Sequence, residues 1–219
     1  MKKINLGMVG VGFTCQTCHL PNFITNDKVK IVAIAEKREK LRKLISKKYK
    51  IKNTFSNHMD MINGQKNLHG IVVIVRRNQT FKIVKDCLNK NINVFSEKPM
   101  CKTLSQAKEL LRISKKNKII YKVGFNKIYD QGIAKGKSIF NNFCRSNNFG
   151  KFLYFKFHKF SGTGYDKKVQ FINTKENFVE KNKNSSSFPK FLNKKNYKLY
   201  DSYLNLYSHN INLLNYFFK

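Results

Sequence analysis

The chain has 219 residues, 41% of them hydrophobic, which is enough for a substantial core and argues against a disordered polypeptide. Its 44 Lys and Arg against 12 Asp and Glu give a net charge of +32, but 31 basic and 8 acidic residues fall in 1–150 and 13 and 4 in 151–219. Charge spread this way forms no basic arm or block, so it does not mark a specific nucleic-acid binder.

The 38 Lys, 27 Asn and 19 Phe rise together, as the codon usage of an AT-rich genome produces. DNA retardation caused by charge alone would vanish by physiological salt. Apolar runs such as Ile71 to Val75 fall far short of the roughly 20 residues of a membrane span. Met1-Lys2-Lys3 could open a signal peptide, but Gly7, Gly10 and Gly12 interrupt the apolar stretch and no A-x-A-like cleavage site follows. Five cysteines, an odd number, do not form a disulfide framework, and a cytoplasmic protein is expected.

From Lys3 to Phe125 short apolar runs alternate with amphipathic stretches, the pattern of repeated βα units. Strands are expected at Ile4–Val9, Val29–Ala35, Gly70–Val75, Asn93–Ser96 and Ile119–Gly124. Most are almost continuously apolar, as when helices cover both faces of a parallel sheet. Helical spacing joins Thr80, Ile83, Val84, Cys87 and Leu88, and also Leu104, Ala107, Leu110 and Leu111. Thr103-Leu-Ser-Gln106 is a capping box for the second of these helices.

A further helix is expected over about Asp130–Phe143, then a strand over Lys151–Phe160 that ends in the turn Ser161-Gly-Thr-Gly164. Residues 181–198 are polar and irregular and are expected to form a surface loop. Leu204, Tyr207, Ile211, Leu214 and Phe218 step by three and four, so one final helix should bury that stripe.

Gly10-Val-Gly12 follows the first strand, with a helix expected from about Thr14. Glycines there let backbone approach a pyrophosphate, and a helix N-terminus offers N–H groups to its charge. The third glycine of the G-x-G-x-x-G pattern is replaced by Cys15. Glu36 ends the second strand, where an acid can accept hydrogen bonds from ribose hydroxyls. Lys37 and Arg38 follow it and leave room for a 2′-phosphate.

Cys15-Gln-Thr-Cys18-His19 is formally a haem-attachment pattern and a C-x-x-C pair. Haem attachment would need export, and no second C-x-x-C supports a metal. Packing of this helix beneath the cofactor is the expected role.

Glu97-Lys98-Pro99 closes the fourth expected strand, at the carboxyl ends of the strands, where open parallel sheets bind ligands. A half-desolvated Lys there can donate to a reacting oxygen or move a proton. On composition alone it reads as a surface ion pair, because 38 of 219 residues are Lys.

With Gly10-x-Gly12, Glu36, Glu97-Lys98-Pro99 and Val123-Gly-Phe125 in this order, and Asn205-Leu-Tyr-Ser-His209 after them, the chain resembles the Gfo/Idh/MocA oxidoreductases. The resemblance implies an α/β fold. Residues 1–125 would form an N-terminal Rossmann domain with a doubly wound parallel sheet. Residues 126–219 would form an incomplete α/β substrate domain with an open, mostly antiparallel sheet.

It also implies NAD or NADP as cofactor, no metal, and a hydride transferred to or from a secondary alcohol or ketone of a sugar, polyol or nucleotide sugar. Gly10, Gly12, Phe13, Thr14, Glu36 and Arg38 would bind the dinucleotide. Arg76, Asn78, Glu97, Lys98 and Pro99 would line its cleft. Lys98 would polarise the reacting oxygen, His209 would exchange its proton and Asn205 would orient His209. The family has Asp at the position of Asn205, and Asn cannot stabilise an imidazolium as a carboxylate does.

Family members continue past this point with further strands. The resemblance therefore implies a gene fragment, half of a split gene or a pseudoenzyme that binds dinucleotide with impaired catalysis. A second chain would then supply the missing sheet, and self-association would be weak.

Overall fold

The computed structural model describes residues 3–146, 148, 150–156, 158, 169–176 and 188–218. The described residues divide into two compact units. The first lies within Met1–Val123 and Asp166–Leu192, the second within Gly124–Tyr165 and Asn193–Lys219.

The first unit is a six-stranded parallel sheet with strands β1 (Ile4–Val9), β2 (Val29–Ala35), β3 (Asn53–Phe55), β4 (Gly70–Val73), β5 (Asn93–Ser96) and β6 (Tyr121–Val123) in the order β3-β2-β1-β4-β5-β6. Three of the five expected strands have the expected bounds, and the fourth and sixth are shorter. β3 was not expected. It is a three-residue edge strand with two exposed residues, too short to show an apolar period.

Side chains along a strand alternate between faces, and the core divides accordingly. Met8, Ile34 and Val72 enter one apolar cluster with Val11, Cys15, Leu20, Leu41 and Ile45. Their neighbours Val9, Ala35 and Val73 enter the other with Met61, Val84, Leu88, Val94 and Leu110. The first face is covered by α1 (Leu20–Ile24) and α2 (Glu39–Tyr49), the second by α3 (His58–Gly64), α4 (Arg77–Asn89) and α5 (Leu104–Asn117). This is the doubly wound arrangement. Thr80, Ile83, Val84, Cys87 and Leu88 are all buried on α4, as their spacing requires.

α5 departs from its expected stripe. Its buried residues are Leu110 and Ile113, while Leu104 is 71% exposed and Leu111 is exposed too. The outermost helix packs along one narrow line against α4, and its other apolar residues face outward. Its cap forms, with Gln106 N donating to Thr103 Oγ1 at 3.2 Å. The return bond runs from Lys102 N to Gln106 Oε1 at 3.1 Å, one residue earlier than a standard capping box.

A distant stretch of chain folds back on this unit. The Gln16 carboxamide makes two backbone bonds to Ile172: Nε2 donates to its carbonyl at 3.1 Å, and Oε1 accepts from its N–H at 2.8 Å. Phe171 meets Phe13 edge-on at 4.9 Å. Glu176 accepts from Lys40 N at 2.9 Å and Leu41 N at 3.0 Å, capping the first turn of α2 from 135 residues away.

The second unit contains α6 (Gln131–Arg145), α7 (Tyr197–Leu206) and α8 (Ser208–Phe218). α6 starts where the sequence indicates, with Asp130 Oδ1 accepting from Ile133 N. Phe140 on α6 gathers Phe152, Phe155, Phe217 and Phe218, with ring centroids 5.3–6.4 Å from its own. Lys137 Nζ donates to the carbonyl of Phe217, satisfying one of the last acceptors of α8.

The expected strand over 151–160 is not formed where it is described. Residues 151–156 belong to no ladder, because no neighbouring strand pairs with them among the described residues. The turn at 161–164 lies outside the described residues, as does 181–187 of the expected loop. The loop ends early, since α7 begins at Tyr197.

The final helix is two helices meeting at Tyr207. Their stripe is not the buried side: Tyr207, Ile211, Leu214 and Phe218 are exposed, and Leu213 is buried instead. α8 faces the 3₁₀ turn Asn126–Tyr129 through that other side.

Candidate dinucleotide site

In the order β3-β2-β1-β4-β5-β6 the chain reverses direction across the sheet between β1 and β4, and ligands of open α/β sheets bind at the carboxyl ends beside such a point. The segments following β1, β2, β4 and β5 carry Gly10–Gly12, Glu36, Arg76 and Glu97-Lys98-Pro99. Every expected cofactor residue therefore lies in the first unit, with Gly10, Gly12, Glu36 and Glu97-Lys98-Pro99 just past strand ends, Phe13 and Thr14 opening a helix, and Arg76 and Asn78 at the start of α4.

Gly10 has φ +84°, and a Cβ there would lie 2.2 Å from the Ile74 carbonyl oxygen, so only glycine fits. Gly12 differs. A Cβ on it would meet only Arg38 Nη2, at 3.4 Å, so the space over the turn is otherwise open. That opening, beside the first turn of a helix, fits a pyrophosphate.

The helix begins at Phe13 and Thr14, as expected, but widens to a π-turn over Cys15–His19, closed by Leu20 N donating to the Cys15 carbonyl. Pro21 accounts for this, since it has no N–H and its ring would press on the carbonyl four residues earlier. Cys15 is fully buried in the core, where burial first and the Glu36 charge second push its thiol up to about 12. Cys18 is exposed, and all five cysteines are free.

Glu36 is buried at the end of β2. Its Oε2 accepts from Val11 N at 3.0 Å and Arg38 Nη2 at 3.0 Å. Its Oε1 accepts from Arg38 Nε at 3.0 Å and Arg38 N at 3.1 Å. Burial alone would raise this carboxyl, but the Arg38 guanidinium and the two backbone donors outweigh it and hold it below the ordinary carboxylate range. The same pair raises Arg38. A ribose diol reaching Glu36 must therefore exchange with the Arg38 donors, a competition that the sequence does not reveal.

Glu97 is half-buried. Its Oε1 is 2.6 Å from His19 Nε2, and its Oε2 accepts from Lys98 N at 3.1 Å. Lys98 is half-buried, Pro99 is buried, and the Lys98–Pro99 bond is cis. Arg76 and Asn78 are exposed at the start of α4, with Arg76 as its N-cap. His19 was not among the expected site residues. Its only signal in the sequence was its place in the C-x-x-C-H pattern.

In the second unit Asn205 lies on α7 and His209 on α8, on either side of the junction at Tyr207, so they do not share one continuous helix as expected. Backbone bonds bridge the junction, with Tyr207 N donating to Tyr203 O at 2.8 Å and Ile211 N to Tyr207 O at 3.0 Å. The Tyr203 and Tyr207 rings stack at 5.3 Å on one side of it. His209 meets Phe125 edge-on at 6.2 Å within the second unit. The Ser208 hydroxyl and the Asn212 amide oxygen are buried with no hydrogen-bond partner among the described residues.

The fold is shared with known dehydrogenases. Myo-inositol 2-dehydrogenase of Thermotoga maritima is 24% identical over 139 residues, 64% of this chain and 41% of the relative. The crystal structure of myo-inositol 2-dehydrogenase from Lactobacillus plantarum superposes with a TM-score of 0.61 at 22% identity, covering 65% of this chain and 42% of that one. Scyllo-inositol dehydrogenase from Lactobacillus casei, solved with bound NAD(H) and scyllo-inositol, gives 0.61 at 19% identity, with 65% and 42% covered. The chain thus spans about two fifths of the length of these relatives. A model of the Gfo/Idh/MocA oxidoreductase family, NAD-binding Rossmann fold, matches residues 4–125, and the chain belongs to that family.

Proposed function

We propose that the chain takes part in NAD(P)-dependent oxidation or reduction of a secondary alcohol or ketone on a polyol or sugar, as a cytoplasmic protein. The observation that carries this reading is the convergence of Gly10–Gly12, Glu36 and Glu97-Lys98-Pro99 at the carboxyl ends of β1, β2 and β5. Relatives named as inositol dehydrogenases support a cyclic polyol as the first substrate class to try.

Gly10, Gly12, Phe13 and Thr14 hold the pyrophosphate, and Glu36 and Arg38 receive the adenosine ribose. Arg76, Asn78 and Pro99 border the cleft. The bound dinucleotide supplies the hydride donor or acceptor.

Lys98 donates a hydrogen bond to the reacting oxygen, and its charge favours the alkoxide character that develops there. His209 takes or returns the hydroxyl proton, and Asn205 orients it. A second chain bringing sheet to the exposed apolar side chains of the second unit, among them Leu153, Tyr154 and Leu199, completes the reading.

The test is NADH titration followed by turnover on a panel of inositols and other polyols, with wild type and Lys98→Met. The expected result is NADH binding by both, turnover by wild type, and a loss of at least about 100-fold in the variant. Binding without turnover on any polyol would instead mark a dinucleotide-binding protein with impaired catalysis. Failure to bind NADH would overturn the reading.

A further inference from the structure

His19 has no part in the chemistry above, yet its contact with Glu97 joins two segments 78 residues apart, the helix after the glycine turn and the end of β5. Both side chains are shielded, at 16% and 22% exposure. Glu97 is anchored on each side: its N–H donates to the Val73 carbonyl at 3.0 Å, and its Oε2 accepts from Lys98 N at 3.1 Å.

The imidazole is held just as firmly. It stacks on Phe23, with centroids 6.4 Å apart and planes 18° apart, and meets Phe95 edge-on at 5.8 Å. An ionised carboxylate can only accept, so His19 Nε2 carries the proton and donates to Glu97. At 2.6 Å this is a short, charge-assisted bond.

The π-turn ends at His19, so the backbone widening beside Pro21 and the anchoring of the E-K-P segment meet at one residue. π-turns of this kind concentrate at functional sites.

We propose that His19 is a positioning residue. By holding Glu97 it fixes the backbone that carries Lys98, and so tunes the nicotinamide end of the dinucleotide site without shaping the adenosine end. This rests on the dinucleotide reading above, and the experiment separates the two.

Affinities for NADH and for ADP-ribose, which lacks the nicotinamide, are measured for wild type, His19→Phe and His19→Gln, each with a urea melt. Phenylalanine keeps the contacts with Phe23 and Phe95 but removes the donor; glutamine keeps a donor. The expected result is NADH binding weakened by at least about tenfold in His19→Phe, ADP-ribose binding within about twofold of wild type, and most NADH affinity restored in His19→Gln.

Unchanged NADH affinity in His19→Phe overturns the proposal. So does equal weakening of both ligands, which would make His19 a structural part of the turn. Should His19→Phe fail to fold, Glu97→Gln is held to the same two criteria. Wild-type binding of neither ligand sinks the dinucleotide reading and this proposal with it; intact ADP-ribose binding with either overturning pattern sinks the proposal alone.

Discussion

Glu36 shows how fully the fold itself can occupy one buried side chain. Its two oxygens receive four donors, three of them from Arg38 and one from Val11. Its folded pKa lies below that of an unfolded Glu, about 4.3. A carboxyl depressed in this way contributes stability that is fully present above the unfolded value and is lost as pH falls through the folded one. Glu97 has the same sign: burial would raise it, and the His19 bond outweighs burial. Wild type should therefore lose stability as pH falls below the unfolded value, and Glu36→Gln should flatten that slope in urea melts across pH. At neutral pH the same variant should cost about 1–3 kcal/mol and lower NADH affinity by at least about tenfold. An equal acid slope in both proteins would contradict the assignment.

At the scale of elements, the two glycines of the first turn predict opposite outcomes. Gly10→Ala forces a Cβ against the Ile74 carbonyl at a positive φ, so it should destabilise by at least about 2 kcal/mol. Gly12→Ala should change stability by less than about 0.5 kcal/mol while weakening NADH binding, because its Cβ enters the open space that the proposed function gives to phosphate. Thr103→Ala, which removes the α5 cap, should cost about 1 kcal/mol in a chemical melt.

The central strands were legible because burial on both faces writes continuous apolar runs, and α4 because both its neighbours demand one face. β3, the orientation of α5 and the break at Tyr207 were not. Each is decided by what lies beside the element: one strand against a three-residue edge, a single neighbouring helix, and a pair of stacked tyrosines. Among candidate site residues, the glycines, Glu36 and Lys98 announce themselves by spacing from a strand end. His19, Arg38 as the partner of Glu36, and Gln16 act through contacts that no local pattern encodes.

The whole molecule is held by two unlike cores. The first unit has aliphatic clusters on both faces of its sheet, whereas the second depends on phenylalanines around Phe140. Edge-to-face rings add about 0.5–1.5 kcal/mol per pair beyond burial. Phe140→Ala should therefore cost on the order of 2 kcal/mol, less than a fully buried phenylalanine because Phe140 is half-buried. Calorimetry should show the transition of the second unit moving down while that of the first keeps its midpoint; a shift of both would show that the phenylalanines stabilise more than their own unit.

The return of Phe171, Ile172 and Glu176 to the helix after β1 and to α2 also bears on how the protein is made. A nascent polypeptide emerges from the ribosome amino end first, and its domains ordinarily collapse in that order. Here the sheet can assemble once β6 has left the exit tunnel, yet the Gln16 amide and the start of α2 wait for some fifty residues more of translation. A stalled chain ending near residue 130 would expose that helix terminus to proteases, and synthesis through residue 176 would close it.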